Sequence, residues 1–296
     1  MYKSERKGQI VLNIVMILAM VIVIAPFLLM VSSSFTEDDT LMQYGYSFWP
    51  RKFSLESYAY IWNEKTQIFR AYGITIFVTV AGTILGLIMT LLYSYVLSKP
   101  SFPGKTFLAF YLFFTMIFNG GIVPTYIIYT QYFHIKNTIF ALIIPSLLMG
   151  TYNVILTRTY IQTNVPQALT EVAKIDGAGE LTIFTRVVLP LCKPIVATII
   201  LFIGLGYWND WMNGLYYVTD SSLYSIQQLL NNMMRNIDYL SQNSTGMSGV
   251  GNALAQIPKA SARMAIAVIG VVPILIIYPF LQKYFVKGIV VGAVKG

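Results

Sequence analysis

Few side chains in this chain could do chemistry. His134 is the only histidine and Cys192 the only cysteine. A zinc centre needs several such ligands and a disulfide needs two cysteines, so neither is available. No G-x-x-x-x-G-K-[ST] segment occurs, so the chain has no phosphate-binding loop of its own. A membrane-embedded transferase or protease would need several carboxylates or a Ser/His pair near one face, and neither is found. Two features remain. One is Asp210, an acid within an apolar run. The other is a polar stretch, Asn164–Pro194, between two apolar segments. At helical spacing Asp210 shares a face with Gly206, Tyr207, Asn213, Gly214 and Tyr217. A carboxylate at membrane depth is costly and faces a bundle interior or a cavity. The stripe therefore suits either a pathway wall or a close interface between helices.

The elements around these residues follow from composition. Hydrophobic residues make up 56% of the 296 and charged residues 11%, against about 25% charged in soluble domains. The chain reads as an all-α integral membrane protein. A helix needs about 20 apolar residues to cross a bilayer. Six segments meet this: Ile10–Val31, Ala71–Leu97, Thr106–Tyr129, Thr138–Leu156, Pro194–Leu215 and Ala262–Phe285. An even number places both termini on one side. That side, with the 98–105 and 157–193 loops, carries twelve basic residues, and the other side carries eight. The positive-inside rule makes the first side cytoplasmic. The first apolar run is too long for a signal peptide and no A-x-A site follows it, so it reads as an uncleaved span. The net charge of +8 is too diluted by apolar segments to suggest nucleic acid; membrane lipid is the expected surrounding.

The expected order is a cytoplasmic N-terminus (1–9), a first span (10–31), an outer segment (32–70), a five-span core (71–285) and a cytoplasmic tail (286–296). Tyr58, Tyr60 and Trp62 in the outer segment suit an interfacial helix held at headgroup level, or a contact surface for an outer partner. Gly82 and Gly86 stand four apart, a spacing that lets helices approach closely. Asn119-Gly120-Gly121, followed by Pro124, weakens the third span. Broken backbone at that depth is tolerated inside protein or beside a water-filled cavity, so the bend lines a pathway or is a packing kink. The outer 216–261 loop ends in a Gly- and Ser-rich tip, Ser241–Asn252, read as mobile. Arg263 reads as an interfacial anchor, His134 as solvated and Cys192 as a small packed residue.

Within Asn164–Pro194, Asn164 and Pro166 signal a helix start. The pattern predicts a short helix over Gln167–Ile175, ended at Asp176-Gly177 because glycine takes the positive φ of a helix terminus. A second helix follows over Glu180–Val188, stopped by Leu189-Pro190. Two helices with a glycine elbow form a compact knob that can fit a groove and transmit a push.

Here the residues carry a resemblance. The pattern E-A-A-x3-G-x9-I-x-L-P is the signature of permease subunits of bacterial ATP-binding-cassette importers. Glu171, Ala173, Gly177, Leu189 and Pro190 match it; Val172 and Val187 replace its second residue and its isoleucine. Asn119 to Tyr126 resembles the third-span motif of carbohydrate permeases of the LplC/YtcP-like group. Trp208-Asn209-Asp210-Trp211 resembles the fifth-span motif of MalG-like permeases. Gln282–Gly288 and Gly292–Gly296 resemble the group's C-terminal motif.

The resemblance implies a type I importer permease fold with six transmembrane helices. It also implies a pathway formed with a second, usually different, permease subunit, and two cytoplasmic ATP-binding subunits that hydrolyse ATP with Mg. An extracytoplasmic binding protein would deliver an oligosaccharide. Glu171, Val172, Ala173, Asp176, Gly177, Leu189 and Pro190 would couple to the ATPase. Asn119, Tyr126, Tyr207, Trp208, Asn209, Asp210 and Asn213 would line the substrate pathway. The chain itself would bind no cofactor or metal and would not be an enzyme. The rival is an ion-coupled secondary sugar transporter. It needs coupling-ion ligands and often internal repeats, for which Asp210 alone is thin, and it has no use for the knob.

Overall fold

A computed structural model describes residues 2–100, 102–243 and 260–293, and the regular elements of these segments are helices. Most of the Ser241–Asn252 tip and the Val294–Gly296 end of the tail lie outside the described residues. In chain order the helices are α1 (Tyr2–Ser34), α2 (Asp38–Tyr44), α3 (Glu56–Asn63), α4 (Lys65–Ser98), α5 (Lys105–Ile117), α6 (Ile122–Ile127), α7 (Phe140–Ile143), α8 (Thr151–Asn164), α9 (Gln167–Ile175), α10 (Glu180–Ile183), α11 (Leu189–Leu191), α12 (Lys193–Trp208), α13 (Met212–Tyr217), α14 (Ile226–Asn243) and α15 (Ala260–Ala293). Single π-helical turns extend α6 over Ile128–Tyr132 and join α10 to α11 over Phe184–Val188. The chain divides into two compact units, Met1–Gln67 with Leu230–Ile274, and Ile68–Leu229 with Leu275–Gly296.

In the first unit, α1 is apolar on all sides and its most apolar stretch buries nothing within the chain, as a helix facing lipid or another subunit would. Its C-terminal end is anchored. Ser34 Oγ lies 2.8 Å from the Tyr58 hydroxyl, and the Phe35 ring stacks on Phe53 and Tyr58. The segment after α1 thus holds two short helices, α2 and α3, tied by an isolated bridge between Thr36 and Phe53. Asp38 Oδ1 accepts from the amides of Ala260 and Ser261 at 2.8 and 2.9 Å. It satisfies donors that the start of α15 cannot pair internally, and the acid is favourable at that dipole end. Arg263 forms an ion pair with Asp238.

In the second unit, α4, α7, α8 and α12 surround an apolar core that includes Leu91, Leu142, Ile161, Ile199 and Ile203. Cys192 is buried in it and His134 is exposed. Gly82 and Gly86 have the close approach their spacing predicts. A Cβ on Gly82 would overlap the Tyr207 ring, and one on Gly86 would lie 2.9 Å from the Leu148 carbonyl oxygen.

Three expected spans are interrupted. The third breaks at Phe118–Gly121, and Lys105–Ile117 meets Ile122–Tyr132 at 114°, sharper than a kink. Gly121 takes φ +86°, and Asn119 Oδ1 accepts from its amide at 2.9 Å. The fourth, Thr138–Leu156, is not one helix. It stops after Ile143, runs irregularly through Pro145, with Ser146 at φ +62°, and restarts at Thr151. Proline disfavours helical backbone in the residue before it, which a count of apolar residues does not register. The fifth is cut at Asn209–Trp211, where Asp210 Oδ1 accepts from the Met212 and Asn213 amides, each at 3.2 Å. A local bond of this kind starts a new helix in preference to continuing the old one. Among the described residues, Gly8–Ser34, Lys65–Ser98 and Ala260–Ile277 are each long and apolar enough to cross a membrane, and the count rises to five where each of two bent pairs is one span.

Candidate coupling and pathway sites

The polar loop begins where α8 ends. Val165 is extended and Pro166 has φ −61°, so α9 starts at Gln167 with its first turn preset by the proline ring. None of the nine residues of α9 is buried. Leu169, Val172 and Ile175 are 46%, 55% and 85% exposed, and Leu181 is 70% exposed. These large apolar side chains stand uncovered at helical spacing, as apolar surface awaiting a partner would. Glu171 and Asp176 flank them and are exposed, while Ala173 is half-buried against the core.

The elbow is a Schellman turn. Asp176 closes α9, Gly177 takes φ +79°, its amide reaches the Lys174 carbonyl at 3.0 Å, and the Ala178 amide reaches the Ala173 carbonyl at 2.9 Å. Both bonds satisfy carbonyls that the helix end would leave unpaired. No atom lies within 4 Å of a Cβ built at Gly177, so the requirement for glycine there is conformational and not steric. Beyond the elbow Ile183, Phe184 and Val188 are buried in the core. Leu189 packs beside them and Pro190 is exposed. The chain then turns by 86° between Glu180–Leu191 and α12.

A cluster at the base of the knob was not read from the sequence. The Glu180 carboxylate receives the Lys99 ammonium, the Tyr95 hydroxyl at 2.8 Å and, more distantly, Lys174 at 3.5 Å. The Lys99 ammonium bonded to it holds Glu180 below the usual carboxylate range. Tyr95 and Lys99 lie 85 and 81 positions from Glu180 on the chain, so no local pattern announces the cluster.

The proposed pathway residues fall into two groups. Tyr207, Trp208 and Asn213 are buried. The Tyr207 hydroxyl donates to the Ile143 carbonyl at 2.8 Å, and the Asn213 amide donates to the Pro145 carbonyl at 3.0 Å. Both carbonyls belong to the broken fourth segment, so these side chains replace its missing helical bonds. Asp210 is half-buried and caps α13. Asn119 and Asn209 are exposed. The Tyr126 ring stacks on Tyr217 with centroids 5.8 Å apart, and its hydroxyl accepts from Lys136 at 3.3 Å.

A helical chain with apolar spans, whose helices break within the membrane segments, and a polar knob between two of them define a multi-pass transport permease. Residues 71–291 match the family described as binding-protein-dependent transport system inner membrane component, and the chain belongs to that family. It is 37% identical over 275 residues to protein LplC of Bacillus subtilis (strain 168), covering 93% of this chain and 90% of that one. It is 35% identical over 295 residues to the polygalacturonan/rhamnogalacturonan transport system permease protein YtcP of the same organism, covering 99% and 100%. A chain of a bacterial ABC transporter involved in the import of the acidic polysaccharide alginate superposes with a TM-score of 0.78 at 25% identity, covering 95% and 98%. The protein is thus the multi-pass inner-membrane permease component of a binding-protein-dependent ABC transport complex, and is not itself catalytic.

Proposed function

We propose that this chain forms half of the translocation pathway of an ATP-driven oligosaccharide importer and docks a cytoplasmic ATPase through residues 164–190. The supporting observation is the unburied apolar row of Leu169, Val172 and Ile175, held out by the Gly177 elbow. Glu171 at its edge suits a basic residue of the ATPase, an exposed pair worth about 0–1 kcal/mol. The chain crosses the membrane six times with both termini cytoplasmic. A second permease completes the pathway, two ATP-binding subunits hydrolyse ATP with Mg, and an outer binding protein delivers the sugar. Asn119, Tyr126, Asn209 and Asp210 are the chain's contributions to the pathway wall, with Tyr207, Trp208 and Asn213 packed behind them. The oligosaccharide reading leans on the transport role in the name of the YtcP relative and on the alginate importer likeness.

Purification of the tagged chain in mild detergent tests the assembly. A second permease and a P-loop ATPase at matched stoichiometry are expected, and a lone chain would sink the reading. Replacing Gly177 by tryptophan should abolish ATPase co-purification while the permease pair persists. Uptake by cells given a polygalacturonan/rhamnogalacturonan digest, against cells given maltodextrins, tests the substrate class. Uptake of neither would remove the sugar assignment.

A further inference from the structure

A knob that is pushed must pass its displacement to the spans, and the geometry of α9 makes this a specific problem. The helix buries no residue. A cavity of about 170 Å³ separates it from the cytoplasmic end of α4, lined on one side by Tyr95, Ser98 and Lys99 and on the other by Thr170, Glu171 and Lys174. On α9 only Ala173 packs against the core, and the larger apolar contact lies past the elbow, where the Phe184 and Tyr95 ring centroids are 5.1 Å apart. One carboxylate reaches both sides. Glu180 takes Tyr95 from α4, Lys99 from the residue just past its end, and Lys174 from α9. The Lys99 ammonium also sits 4.4 Å from the Tyr95 ring centre, which fixes it toward the same point.

We propose that Glu180 is a positioning residue that latches the knob to the cytoplasmic end of α4, so that the loop and this span move as one body. The inference rests on the coupling role proposed for the loop. Further along α4, Gly82 and Gly86 lie against Tyr207 of α12 and the backbone at Leu148. A displacement of the latched end is therefore delivered to the helix contact beside the interrupted fourth and fifth segments. A charged contact suits this use because it holds a direction without a large packed interface. Its partners come from two elements, so removing it frees one from the other without opening the core.

The test uses the whole complex in lipid nanodiscs, with Cys192→Ala and cysteines for spin labels at Ala168 on α9 and Met89 on α4. Both label positions are exposed. The inter-label distance is measured without nucleotide and with Mg-ATP plus vanadate. With Glu180 present, the two distances should coincide. In Glu180→Ala they should differ by about 2 Å or more, the scale of helix shifts at switching interfaces, while the ATPase subunit is retained. The exchange of Lys99→Glu and Lys174→Glu with Glu180→Lys should restore a single distance. A distance that changes equally with Glu180 present, that stays fixed in Glu180→Ala, or that the charge exchange fails to restore would overturn the latch. Absence of the ATPase from the unsubstituted complex would defeat the coupling reading, and the latch with it.

Discussion

Two glycines of this chain are required for opposite reasons, and their alanine variants separate the two. At Gly177 the cost is backbone strain: φ is +79° and a Cβ would meet nothing. Gly177→Ala should destabilise the elbow by about 1–2 kcal/mol and leave the core untouched. Faster amide exchange confined to Gly177-Ala178 and the end of α9, with an unchanged melting temperature, is the expected result. At Gly82 the backbone is ordinary helix and the Tyr207 ring occupies the place of a Cβ. Gly82→Ala should cost about 1–3 kcal/mol by overpacking, seen as a lower melting temperature in detergent. Glu180 supplies a third test, in pH. Its carboxyl lies below the usual range because of Lys99, so the contact contributes fully above the ordinary carboxylate pKa of about 4.3. It is lost only as pH falls through Glu180's own lower value. With the side chain about half exposed, the effect is modest, about 1 kcal/mol at most. A carbon-13 titration of the Glu180 carboxyl should show the depressed midpoint, and Lys99→Met should raise it, with Tyr95 and Lys174 still lowering it.

At the scale of elements, the interrupted fourth segment needs partners for its backbone, and the fifth segment supplies them. Tyr207→Phe removes the donor to the Ile143 carbonyl in a buried site. An unsatisfied buried acceptor costs about 1–3 kcal/mol, so this variant should melt earlier although it changes one atom. Asp210 poses a different question. As a cap it needs only an oxygen that accepts from the Met212 and Asn213 amides, which asparagine also offers. Asp210→Asn should therefore keep the fold's stability. If uptake nevertheless falls, the charge serves the passing solute; if uptake is unchanged, Asp210 serves the break between α12 and α13.

For the molecule as a whole, the exposed row on α9 is the surface proposed to dock the ATPase. Ile175 is 85% exposed, so Ile175→Asp should fold normally and assemble with the second permease. It should lose the ATPase, because a charge in a docked apolar contact is left desolvated and unpaired. Size-exclusion chromatography of the purified complex, with the subunits counted in each peak, checks this. A variant that retains the ATPase would move the docking surface elsewhere on the loop.

The sequence by itself determined the membrane class, the knob and its elbow. Each rests on local physics: apolar run length, proline's fixed φ at Pro166, and the positive φ at Gly177. Bounds for α9 follow from residues within a few positions of its ends. The same local rules left the interruptions only partly legible. Asn119-Gly120-Gly121 announces a weak point and not its angle, and an apolar count passes over Pro145 and over the amides that Asp210 can cap. Tertiary structure decided everything that joins distant positions. It set Tyr207 and Asn213 against the carbonyls of Ile143 and Pro145, laid Gly82 under an aromatic ring, and gathered Tyr95, Lys99 and Lys174 around the Glu180 carboxylate. Such contacts carry no local period because their partners lie on different helices, and only the packing of those helices brings the charges within reach.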